Sequence, residues 1–140
     1  MGSKSNYLEL KILDAVLGQT ALPSIPTVWF GLFSALPSDT GGGTELTASG
    51  YVRLSVANNT TNFPAAATNG TTGKGEKTLA VAGTFAANGG GSNWPAIVGF
   101  GIFDASSGGN LLLWGEISPY SIPPAAQFVI PAGSVIWRED

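Results

Sequence analysis

The chain has 140 residues, a formal net charge of −3 and only 11 % charged side chains. Six Lys and Arg make no basic face for nucleic acid, and without Cys or His there are no disulfides, no thiolate or imidazole metal ligands and no histidine base. One stretch of this length, 1–140, suits a single domain with a real core, and its neutral Gly-, Ala-, Thr- and Pro-rich surface is of the kind that assemblies cover.

The first element in chain order is a helix over about 6–17. Asn6 with Glu9 three residues on reads as a capping-box variant, and Gly18 as the left-handed residue that ends it. Leu10, Leu13 and Leu17 share one face, while Leu8, Ile12 and Val16 share a second. That arc is too wide for one surface, so the helix is expected to meet its own sheet on one side and a neighbouring subunit on the other. Glu9, Lys11 and Asp14 interrupt any signal-peptide core, and no run approaches the ~20 apolar residues of a membrane span. The sequence therefore predicts no membrane insertion, and synthesis in the cytoplasm.

After "LPSIP" the pattern turns strand-like. Strands are predicted near 27–33, 51–57, 78–86, 96–103, 111–117, 126–130 and 133–138, separated by Gly, Pro, Asn and Ser clusters. The fold class is all-β: an antiparallel β-sandwich of about seven strands with one short N-terminal helix. Within it, Asp39 and Glu45 flank "TGGGT" but lack the alternating oxygen ligands of a calcium loop, which favours a turn. Arg53 and Arg138 lie inside apolar strands, where each is expected to pair with a carboxylate or reach a subunit boundary.

The segment 58–77, "NNTTNFPAAATNGTTGKGEK", has no period and is predicted to be a long surface loop. Its "GTTGKGEKT" fails as a phosphate loop because Glu76 separates Gly75 from Lys77. Asn58, Asn59 and Asn69 open N-x-T sequons, which matter only in a secreted eukaryotic chain. Of the four tryptophans, Trp29, Trp114 and Trp137 fall within strands, where packing is the default. Trp94, after "GGGSN", is the one expected to be accessible, and with Tyr120 it is the candidate glycan contact.

The hairpin 96–117 carries a polar knot between two apolar strands. Asp104, the glycines and Asn110 supply turn chemistry there. A symmetric register sets Phe100 opposite Trp114 and Ile102 opposite Leu112. The other face then carries Phe103, Leu111 and Leu113 with the small Gly99, Gly101 and Gly115, open to a close neighbour. Ser106 and Ser107 beside Asp104 have no base, so no catalytic residue is assigned, and neither is a cofactor or a metal.

Three segments together carry a family resemblance: "SNYLELKILDAVLG" (5–18), "VWFGLFSALPSDTGGGTELTASGYVRLSV" (28–56) and "NWPAIVGFGIFDASSGGNLLLWGEI" (93–117). They resemble a group of small virion proteins of tailed bacteriophages, of the tail-fibre-like or structural kind, and cover about half the chain. The loop 58–77 is longer than in that group, and 118–133 is richer in proline. The resemblance implies a non-enzymatic structural role in the virion and brings no catalytic residue. Two roles follow from it. One is a capsid cement (decoration) protein, a homotrimer clamping neighbouring subunits of the major capsid protein on the outer shell. The other is a tail or tail-fibre component binding a host receptor or surface glycan. Neutral surface and the need to close open sheet edges favour the cement trimer. The expected interface residues are Leu10, Leu13 and Leu17 on the helix and Gly99, Gly101, Phe103 and Leu113 on the hairpin. The helix, or the loops 37–50 and 58–77, is then expected to contact the capsid.

Overall fold

The structure, a computed structural model, describes residues 3–139. It is antiparallel throughout, with one helix. The main sheet has six strands: β1 (Ser3–Lys4), β2 (Thr27–Ala35), β3 (Thr44–Glu45), β4 (Leu54–Ala57), β8 (Ile97–Phe103) and β9 (Leu111–Tyr120). Their order is β1-β9-β8-β2-β3, with β4 also pairing β2. The opposing layer is divided into two small sheets. One joins β7 (Gly83–Thr84) to β10 (Val129–Ile130), and the other orders β11 (Ile136–Glu139), β6 (Gly75–Thr78) and β5 (Ala67–Thr68).

Val28, Phe30 and Leu32 alternate down β2 into one hydrophobic cluster with Ile97 and Ile102 of β8. Leu79, Phe85, Ile122, Ile130 and Val135 close that cluster from the opposing layer. Phe30, Leu32, Leu79 and Ile97 have no exposed surface at all. Burying each such side chain is worth about 1.5–3 kcal/mol relative to exposure.

The helix α1 (Asn6–Leu17) spans the expected range, but its cap lies one residue before the expected Asn6. Ser5 is the N-cap: its hydroxyl accepts from the Leu8 amide at 3.3 Å and donates to the Leu111 carbonyl, pinning the helix start to β9. Gly18 has φ −127° and is not left-handed; Gln19, at φ 55°, takes that conformation instead.

Three further expectations are corrected. The segment 58–77 is not a bare loop, because it contains β5 and most of β6. Asn59 and Asn69 each accept two backbone amides, closing Asx turns within the segment, and β6 pairs with β5 on one side and β11 on the other. Second, the β8–β9 register is shifted: Gly101 faces Trp114, Phe100 faces Gly115 and Ile102 faces Leu113. The ladder shifts between Ile102 and Phe103, leaving Leu112 as the extra residue of a bulge. Leu113 therefore joins the core face, and Trp114 and Glu116 join the outer face. Third, Trp94 is the most buried tryptophan rather than the accessible one, at 2 % exposure. Buried Asn88 holds the 88–94 turn inward by donating to the Ser92 and Ile122 carbonyls, each at 2.9 Å.

Candidate functional site

The polar groups of the hairpin turn are spent on structure. Asp104 accepts from the Asn110 backbone and side-chain amides, both at 2.7 Å, which closes the 104–110 turn. Arg53 reaches into that turn from the neighbouring strand region, donating to the Ala105 and Gly108 carbonyls at 2.8 and 2.9 Å. Its other edge grips Glu45 through two bonds of 2.8 Å, Nε to Oε1 and Nη2 to Oε2. The guanidinium carbon also sits 3.5 Å from the centre of the Phe103 ring.

Tyr51 completes this lock. Its hydroxyl donates to Glu45 Oε1 at 2.8 Å and accepts from the Leu32 amide at 2.9 Å. Burial pushes the Glu45 carboxyl up, but the Arg53 and Tyr51 hydrogen bonds and the Arg53 charge outweigh it and leave it below its ordinary value. Burial first, then the Glu45 bond and charge, push the Tyr51 phenol well above its ordinary value, so it stays a donor. Gly31 makes room, since a β-carbon there would lie 2.9 Å from Glu45 Oε1. The arrangement holds two loops together and engages both the Glu45 carboxylate and the Tyr51 hydroxyl.

The interface candidates on the hairpin lie under the chain's own side chains. A β-carbon on Gly101 would meet Leu111 at 2.7 Å and Phe33 at 2.9 Å; on Gly99 it would meet Leu36 at 2.4 Å and the Gly115 carbonyl at 2.8 Å. Phe103 is buried, stacked on Phe33 with ring centres 6.1 Å apart. Leu113 is half-buried against the core. The glycine face is thus filled from within.

The helix candidates are placed differently. Leu10, Leu13 and Leu17 are 62 %, 55 % and 83 % exposed, with Val16 beside them equally open. Tyr7 and Leu8, in the first turn of α1, pack on the core. The structure does not bring these leucines onto the face of Gly99, Gly101 and Phe103. Of the two glycan candidates, Trp94 offers no ring face, because its indole N–H donates to the Ser49 carbonyl at 3.0 Å and Tyr51 stands against it. Tyr120 is 57 % exposed at the end of β9.

Two concavities stand out among the described residues. A cavity of about 560 Å³ lies between the start of α1, the Gly41–Gly43 loop and the hairpin turn. Asp39 and Glu45 both border it, but Asp39 accepts from the Trp114 indole at 3.1 Å and Glu45 is held by Arg53. Among the described residues no group of three or more acidic side chains could hold a metal ion. The second, a groove of about 890 Å³, runs between β9 and the β10–β11 side, with Trp137 and Phe100 in its lining. Sequence reasoning missed this groove, because its walls come from strands that only the fold brings together.

The family model described as Podophage GP4 fiber I protein gp80 matches residues 3–138. No curated protein matches the chain. The chain belongs to that family, which makes it a phage virion structural protein and agrees with the resemblance carried by the three sequence segments. Among the described residues no helix is long and apolar enough to cross a membrane.

Proposed function

We propose that this protein is a non-catalytic subunit of a phage fibre that self-associates, as a trimer, through the outward face of α1. The observation that carries the reading is the row Leu10, Leu13 and Leu17, more than half exposed on a helix whose first turn packs on the core through Tyr7 and Leu8. Spacings of three and then four residues make a continuous apolar stripe, the geometry with which helices pack against each other. A closed ring of copies covers that stripe without open-ended growth. The internal use of Glu45, Tyr51, Arg53 and Asp104 supports the absence of catalysis, since each polar side chain already has a structural partner.

The matched family's description as a fibre protein is the ground for proposing an appendage in place of the shell-covering cement role expected from composition. Quantitative mass spectrometry of purified virions separates the two. A copy number of a few per hundred major capsid subunits fits the fibre, and a ratio near one overturns it in favour of cement.

A further inference from the structure

We propose that the groove between β9 and β11 is a binding site for a neutral oligosaccharide. Its volume, about 890 Å³, lies within the range of pockets that enclose small ligands. Trp137, Phe100 and Phe128 give it an aromatic lining, with Trp137 edge-on to Phe100 at 5.8 Å between ring centres. The Trp94 and Trp114 indole N–H groups are both engaged, whereas those of Trp29 and Trp137 have no hydrogen-bond partner among the described residues, and of these two only Trp137 lines the groove. An apolar ring with an unused donor suits a pyranose, which offers C–H groups on one face and hydroxyls at its rim.

Charge narrows the ligand further. Lys4, Lys74 and Arg138 border the groove together with Glu9, Glu116 and Glu139, so the signs cancel and neither an anion nor a cation is favoured. Two ion pairs, Lys4–Glu139 and Arg138–Glu76, hold charged heads in place at its walls, where carboxylate and guanidinium groups can bond hydroxyls. An extended peptide is disfavoured because β1 already occupies the β9 edge at 113–114 and Pro119 lacks an N–H. Only 115–118 is left between them for a ladder. A lipid tail or an apolar helix is disfavoured by the six charged side chains around the opening.

None of Leu10, Leu13 and Leu17 lines the groove, although Glu9 of the same helix borders it, so the sugar titration is also run on Leu13→Glu to keep the two readings apart. The test is a titration of the full-length ¹⁵N-labelled protein with cellohexaose, maltohexaose and chitohexaose, following the four tryptophan indole N–H resonances. Trp137→Phe identifies its resonance by loss. The expected result is a saturable shift of the Trp137 resonance with at least one sugar below roughly 10 mM, with Trp94 unmoved. Val129→Arg, at a half-exposed wall position, should keep the dispersed spectrum and weaken binding about tenfold. No shift with any of the three sugars overturns the proposal. So does a Trp137 resonance that moves with protein concentration alone, which assigns the groove to a second copy of the chain.

Discussion

The glycine-bearing face of the main sheet and the outward face of α1 are both apolar, yet they are finished in opposite ways. On the sheet, Phe33, Phe103, Leu36 and Leu111 fill the space above Gly99 and Gly101, and Arg53 clamps the adjoining turn. On the helix, nothing from the described chain covers Leu10, Leu13 or Leu17. Apolar surface in a strand is therefore no sign of an interface when a bulge and neighbouring loops can fold their own side chains over it. Apolar surface on a helix already docked through its first turn is the stronger sign. The first face should be sensitive in stability and silent in assembly, and the second the reverse.

The largest expected effect is at the lock. Arg53→Ala strips Glu45 of its charge partner and the turn of two bonds, and should cost about 3–5 kcal/mol in denaturant unfolding without altering the oligomeric state of the folded fraction. Next come the filled glycines. Gly99→Ala pushes a methyl against the Gly115 carbonyl, which cannot yield as a side chain can, and should cost about 1–3 kcal/mol by the same measurement.

The lock also sets a pH window. The Glu45 carboxyl is lower in the folded state, so its contribution is complete above its ordinary value of 4.5 and is lost as pH falls through the folded value. The Tyr51 phenol is higher in the folded state, so its contribution is complete below its ordinary value of 10.0 and is lost as pH rises past it. Melting temperatures measured from pH 3 to 11 should fall at both ends, and Tyr51→Phe should flatten the alkaline fall. An unchanged alkaline limb in that variant would contradict the assignment. The smallest stability effect belongs to the helix: Leu13→Glu changes a position exposed in the single chain and, at concentrations too dilute for the parent to associate, should stay within about 0.5 kcal/mol of it.

Much of the architecture was legible because local chemistry dictated it. The helix was readable from its wide leucine arc, and the 96–117 hairpin from Asp104, the glycines and Asn110 between two apolar runs. The pairing of Arg53 and Arg138 with carboxylates followed from the cost of an unpaired charge in an apolar strand. What was not legible depended on distant partners. In "LLLWG" any of three leucines can turn inward, so period-2 alternation could not locate the bulge at Leu112. The inward turn before Trp94 is fixed by the Ile122 carbonyl, 34 residues from Asn88. "GEKT" has no strand pattern of its own and is held by its ladder to 136–139. The Trp137 groove exists only once the fold sets residues of β9 and β11 around one opening.

The most direct test of the account is sedimentation equilibrium of the purified protein beside its Leu13→Glu variant. A trimer is predicted for the parent and a monomer for the variant, with a melting temperature that rises with concentration in the parent and is independent of it in the variant. A parent that stays monomeric at high concentration, or a variant that remains trimeric, would contradict assembly through the leucine face of α1.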